Sequence, residues 1–291
     1  MKIAIYGKHF TSNFGPAIQF LLNNLIAQGV ELYIYNPFCK VLFDCITMPK
    51  NYSKFWEASD IESIQPDLLL AIGGDGTVLE TVQFVYGTKI PVLGINTGRL
   101  GFLSSIAREE ISNAVKAIAQ GHYSVEERSL IQLKNHDFDG RNVALNEFTV
   151  LKKDSSSMIT VETYIDDEYL NSYWADGLII STPTGSTAYN LSCGGPILAP
   201  TSKSFIITPI SPHNLNVRPI VLPDHSTIKL KVKGRGDSYL MALDARNRSC
   251  SFSDYLELGK APFGFMLAKL TSDNFYHTLR NKLMWGLDHR N

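Results

Sequence analysis

Gly73-Gly74-Asp75-Gly76-Thr77 sets one acid among three glycines, directly after the apolar run of residues 68–72. Glycines let a phosphate approach backbone N–H groups at the start of a helix. A carboxylate beside that phosphate is repelled unless a cation or a proton transfer is involved. The combination points to phosphoryl transfer, with Asp75 taking a proton from a hydroxyl or holding a cation. A tight strand-to-helix turn capped by Asp75 is the plainer alternative. No lysine follows as in a P-loop, and the glycine spacing is not that of a dinucleotide turn.

Three further stretches carry polar chemistry. Asn96-Thr97-Gly98-Arg99-Leu100-Gly101-Phe102-Leu103 begins where a strand ends, which places it beside the first glycine turn. Arg99 is available for a phosphate and Phe102 for walling an aromatic ligand. Taken alone, a solvent-facing Arg99 and a core Phe102 are the favoured readings. Asn146-Glu147 interrupts an apolar β run, and two polar side chains there need partners. An amide and a carboxylate together can read ribose hydroxyls or an adenine edge, and a strand-edge pair facing water is an equal alternative. The densest stretch runs from Asp176 through Thr182-Pro183-Thr184-Gly185-Ser186-Thr187-Ala188-Tyr189 to Ser192. Its hydroxyls exceed what a helix cap requires, so a polar ligand is favoured, with Tyr189 stacking on a flat ring. Neither GxSxG nor Ser-x-x-Lys is present, which argues against hydrolytic catalysis. The histidines have no metal-ligand spacing, and His213 reads as a loop brace.

These residues need elements to hold them. Residues 2–6, 30–35, 68–72 and 90–95 read as strands, and Ala17, Phe20, Leu21, Leu25 and Ile26 mark an amphipathic helix. That βαβ rhythm predicts a Rossmann-like parallel sheet. Between residues 36 and 65, Phe43, Trp56 and Ile64 are expected to cover it. Residues 109–121 read as a helix. Beyond them lie short β-rich runs at 129–134, 143–151, 158–165, 178–181, 205–208, 227–232 and 238–243. The expected organisation is an α/β domain over 1–100, an all-β sandwich-like domain over 101–271, and a tail over 272–291. In the tail Phe275, Leu279 and Leu283 mark a helix returning to the first domain.

The chain has 291 residues, 44% hydrophobic content and a net charge of −1. That supports a well-filled core and argues against a general nucleic-acid binder. Four cysteines without CxxC spacing and no leader-like start point to a reduced cytoplasm. No apolar run approaches a membrane span.

In its four signatures, taken in order, the chain resembles the NAD kinase family: Gly73–Thr77, Asn96–Leu103, Asn146-Glu147, and Asp176 through Tyr189. The similarity covers nearly the whole chain. The first motif alone is shared with diacylglycerol, sphingosine and phosphofructokinase turns, whereas the last is far more specific. The resemblance implies ATP-dependent phosphorylation of the adenosine ribose 2′-hydroxyl of NAD, giving NADP, with Asp75 as general base. It implies a divalent cation, usually magnesium, and a homodimer or homotetramer. Gly73, Gly74, Gly76, Thr77 and Arg99 would serve the phosphates. Asp75, Gly76, Phe102, Asn146, Glu147, Asp176, Asn190 and Leu191 would meet NAD, with Thr187, Ala188, Tyr189 and Ser192 lining its adenine side.

Two positions depart from the family pattern. Trp174 stands where many relatives carry arginine, and Asp244-Ala245-Arg246 replaces Asp-Gly-Gln, so Arg246 would supply a compensating charge. A lipid or sugar kinase on the same turn, or a non-catalytic dinucleotide-binding module, are the competing readings. The first leaves the Thr182–Tyr189 stretch unexplained, and an intact Asp75 argues against the second.

Overall fold

The computed structural model describes residues 1–98, 101–138, 140–153, 157–252, 255–270 and 274–285. The chain divides into two compact units, one of residues 1–127 with 265–291, the other of residues 128–264.

The first unit is built on β1 (Lys2–Gly7), α1 (Gly15–Ala27), β2 (Glu31–Tyr35), α2 (Asn36–Phe43), β3 (Ser53–Phe55), α3 (Ala58–Ile64), β4 (Leu68–Ile72), α4 (Asp75–Thr81), β5 (Val92–Ile95), β6 (Ser104–Ile106), α5 (Ile111–Ala119) and β7 (Ser124–Arg128). β1 pairs in parallel with β2 and β4, as do β2 with β3 and β4 with β5. β4 is buried along its whole length, as an uninterrupted apolar run in a parallel sheet requires. Ile18, Leu21, Leu22 and Leu25 of α1 pack with Ile111, Ala114, Val115 and Ile118 of α5 in one core. The expected boundary near residue 100 thus falls inside this unit, because α5 is part of its core.

The segment between β2 and β4 corrects the sequence reading. Phe43 and Trp56 are both 57% exposed; Phe38, Cys39, Leu42, Phe55 and Ile61 cover the sheet instead. The helical register of α2 turns Phe38 and Leu42 inward together, four residues apart, and leaves Phe43 outside.

The second unit runs through β8 (Ile131–Leu133), β9 (Val143–Ala144), β10 (Glu147–Lys152), β11 (Ile159–Ile165), β12 (Glu168–Ala175), β13 (Gly177–Ser181), α6 (Tyr189–Ser192), β14 (Ser204–Ile210), β15 (Ile220–Pro223), β16 (Ile228–Lys233), β17 (Ser238–Leu243), β18 (Arg246–Ser251) and β19 (Tyr255–Lys260). They form two six-stranded antiparallel sheets, ordered β15-β14-β13-β10-β17-β18 and β12-β11-β16-β19-β8-β9. Phe148, Val150, Leu178, Ile180, Tyr239 and Met241 from one sheet meet Val161, Leu230, Val232, Leu256 and Leu258 from the other. Alternate residues of each strand fill this shared core, which makes the unit a sandwich.

The chain then re-enters the first unit. β20 (Phe265–Lys269) adds in parallel to β5, and α7 (Phe275–Leu283) follows. Asn274 caps α7, its side-chain oxygen accepting from Tyr276 N at 2.9 Å. Phe275 and the Phe102 ring stand 6.4 Å apart, so the returning helix packs on the loop after β5. Among the described residues, no helix is long and apolar enough to cross a membrane.

Candidate active site

In the first unit, strand order reads β3-β2-β1-β4-β5. The chain builds outward from β1 on one side, then crosses back to β4 on the other. Such a reversal opens a crevice at the carboxyl ends of the strands. β1 and β4 end together there, Gly7 beside Ile72, and Gly73–Thr77 follows at once. A Cβ at Gly74 or Gly76 would stand in open space, so the protein's own packing does not demand glycine at either position. Glu80 ties α4 down, accepting from the Tyr6 hydroxyl at 2.7 Å and from Lys8 at 2.6 Å.

Asp75 is held by the loop that follows β5. Its Oδ1 accepts from Leu103 N at 3.0 Å and Ser104 N at 2.9 Å, and its Oδ2 from Phe102 N at 2.8 Å. Ser104 Oγ adds a donation to Oδ1 at 3.3 Å and itself accepts from Asn96 Nδ2 at 2.8 Å. Ser104 and Asn96 are both buried, so the carboxylate is oriented by a relay shielded from water. Asp75 is therefore no cap of its own helix; it reaches across to a neighbouring loop. A Cβ at Gly101 would overlap Asp75 Oδ1, which explains a glycine there. Phe102 is half-buried, with Lys282 Nζ 6.0 Å from its ring. Arg99 lies outside the described residues.

In the second unit, the expected run 143–151 is broken at Leu145-Asn146, and Asp244 lies at the break. Its carboxylate accepts from Leu145 N at 2.8 Å, Asn146 N at 2.8 Å and Glu147 N at 3.1 Å. Asp244 opens the β17–β18 turn at φ 52°, a left-handed conformation that aspartate tolerates. The Thr182–Thr187 turn closes on the same backbone. Thr182 N donates to Asn146 O at 2.9 Å, and Thr182 Oγ1 donates to Leu145 O. A Cβ at Gly185 would overlap Asn146 O.

Much of the hydroxyl cluster is spent on this turn, which corrects the expectation that it serves mainly a ligand. Ser186 Oγ donates to Pro183 O at 2.7 Å and accepts from Leu198 N at 3.0 Å. Asn190 is buried, its amide donating to Ser186 O and Pro196 O and its oxygen accepting from Thr208 at 2.6 Å. Tyr189, by contrast, is 39% exposed. Its phenol is raised above its ordinary range by burial first, then by Cys193, Asp176 and Glu147, so these groups share one neighbourhood. Thr187 and Ala188 before it and Leu191 after it are half-buried, and Ser192 is exposed. Asp176 is half-buried and ion-paired with Lys152 at 2.6 Å. Trp174 lies against the His213 ring at 4.3 Å. Arg246 donates to Arg141 O at 2.9 Å and Val143 O at 2.6 Å, its guanidinium 5.3 Å from the Phe138 ring.

Ser104 and Lys152 are the participants that the sequence did not single out, and Asp244 entered it only within the Asp244-Ala245-Arg246 departure, with no role of its own. Asp244 follows a β run and opens a turn, a signal that could have marked it. Ser104 and Lys152 carry no local signature. Among the described residues no three His, Cys, Asp or Glu side chains gather as a metal cluster, and the Asp75 oxygens already hold N–H donors. With no such cluster, the described residues supply too few ligands to fit a resident cation.

A rigidly oriented acid at a sheet's switch point, beside glycines with open space over them, is the architecture of a phosphotransferase. The chain belongs to the NAD kinase family: residues 19–123 match the ATP-NAD kinase N-terminal domain and residues 145–270 the ATP-NAD kinase C-terminal domain. It is 48% identical to an NAD kinase of Cytophaga hutchinsonii and 46% identical to one of Flavobacterium johnsoniae, covering 100% of both chains in each comparison. An NAD kinase from Archaeoglobus fulgidus in complex with ATP matches with a TM-score of 0.74 and 26% identity, over 98% of this chain and 99% of that one. A yeast NADH kinase complexed with NADH shares the fold, with a TM-score of 0.86 and 22% identity over 100% of this chain and 89% of that one.

Proposed function

We propose that the protein transfers the γ-phosphoryl group of ATP to the 2′-hydroxyl of the adenosine ribose of NAD, giving NADP and ADP. The observation that carries this reading is the Asp75 carboxylate. Oδ1 is saturated by its donors, while Oδ2 accepts one N–H among the described residues. A lone pair on Oδ2 remains to take the hydroxyl proton as the ribose oxygen attacks phosphorus. Gly73, Gly74, Gly76, Thr77 and Arg99 receive the donor's phosphates, and Phe102 borders the acceptor.

Asn146, Glu147, Asp176 and the Thr187–Ser192 segment hold NAD. The backbone of Asn146 and Glu147 is fixed by Asp244, and Thr182 holds the adjoining Leu145 carbonyl; such preorganisation favours alignment. Arg246 supports this corner through its charge beside Asp244. The divalent cation, magnesium, enters bound to ATP as part of the substrate. The reading includes a homodimer or homotetramer at work in the cytoplasm, a compartment that suits the four free thiols.

The test is incubation with ATP, magnesium and NAD, with NADP followed by chromatography. Asp75→Asn is expected to lose roughly 10²–10⁴-fold in turnover while NAD still binds. Near-normal turnover in that variant would remove Asp75 from the mechanism.

A further inference from the structure

Two carboxyl groups share the corner where Asn146-Glu147 meets the β17–β18 turn, and hydrogen-bond donors are divided unevenly between them. Asp244 takes the N–H groups of Leu145, Asn146 and Glu147. Glu147 Oε2 is shielded from solvent and meets no donor among the described residues. An ionised carboxylate in that position would be largely desolvated, with Oε2 unpaired and a second carboxylate beside it. Among the described residues no donor meets Oε2 of Glu147, whereas three N–H groups and Arg246 compensate the charge on Asp244.

We propose that Glu147 works as a neutral carboxylic acid and donates a hydrogen bond to an acceptor atom of the bound dinucleotide. This rests on the NAD reading given above and deepens it. A carboxylate can only accept, and so reads hydroxyls; a neutral acid also donates, and so reads a ring nitrogen or a carbonyl oxygen.

The electrostatics agree with the geometry. The Glu147 carboxyl is pushed up to about 8, by burial first and by Asp244 second. Burial raises Asp244 too, but its three N–H donors and Arg246 oppose the shift. Glu147 in turn faces Tyr189 and Cys193, both raised, by burial first and by Glu147 among the further causes. Asp176, which acts on Tyr189, is paired with Lys152.

The experiment is calorimetric titration of the full chain with NAD at pH 7 and pH 9, for the wild type, Glu147→Gln and Glu147→Ala. Glutamine keeps a donor in the shape of the neutral acid. Wild-type affinity is expected to fall about ten-fold between the two pH values, as a group titrating near 8 loses its proton. Glu147→Gln is expected to bind within about three-fold of the wild type at pH 7 and equally at pH 9, and Glu147→Ala to bind weakly at both. Wild-type affinity that is flat from pH 7 to 9, or a Gln variant no better than Ala, overturns the donor role and leaves the NAD reading standing. A wild type that binds no NAD at either pH overturns both. Melting curves at each pH separate lost contacts from lost folding.

Discussion

Asp75 Oδ1 occupies the space that a side chain at residue 101 would fill: a Cβ on Gly101 would overlap it. The glycine turn after β4 and the loop after β5 are thus interlocked through one carboxylate. Gly101→Ala is expected to displace Asp75 and lower turnover roughly 10²-fold, the cost of misplacing a reacting group by about 1 Å. The same overpacking should lower stability by about 1–3 kcal/mol. Parallel measurement of NADP formation and melting temperature checks both; turnover unchanged beside a lowered melting temperature would separate the interlock from catalysis.

Ser104→Ala removes the hydroxyl that joins Asn96 to Asp75. The three backbone N–H donors remain, so Asp75 stays close to its place. The expected result is a kcat lowered roughly ten-fold with KM for NAD little changed, because orientation rather than binding is lost. A raised KM with an unchanged kcat would show that this relay serves binding instead.

Glu147 makes stability depend on pH. Its carboxyl titrates near 8 in the folded protein against an ordinary 4.5, so the folded chain keeps a proton that the unfolded chain releases. Stability therefore falls as pH rises from about 4.5 to about 8, by up to about 1.4 kcal/mol per unit, and levels off above that window. Glu147→Gln abolishes the titration. Its melting temperature should match the wild type near pH 4, exceed it by a margin that widens to pH 8, and hold that margin above. Parallel melting curves over the whole range would contradict a raised carboxyl.

Arg246→Ala leaves the carbonyls of Arg141 and Val143 without their donors and withdraws the cation beside Asp244. A loss of about 1–3 kcal/mol in stability is expected, together with a raised KM for NAD. If KM is unchanged for both NAD and ATP while melting drops, Arg246 acts on the fold alone.

The chemistry-bearing stretches were legible in the sequence because each is local. Gly73–Thr77, Asn146-Glu147 and Asp176–Ser192 declare themselves by residue type and spacing, and the βαβ rhythm needs only an apolar period. Residue order alone places an acid among glycines at a strand end, a β-rich region after it, and a helix beyond that region. What those residues touch depends on the folded chain. Phe43 and Trp56 look like core residues by composition, yet the register of α2 and the reach of β3 put Phe38 and Phe55 inside. The hydroxyls of Thr182 and Ser186 look like a ligand shell, yet the first binds the Leu145 carbonyl and the second the Pro183 carbonyl of its own turn. Asp244 is remote in sequence from Leu145, Asn146 and Glu147, and no local period relates them. β17 lies beside β10 in one sheet, and that pairing carries the turn to the break at residue 145. The physical reason is the same each time. Composition sets which groups must be satisfied, but only the folded chain, where every buried donor has to find an acceptor, settles which partner satisfies them.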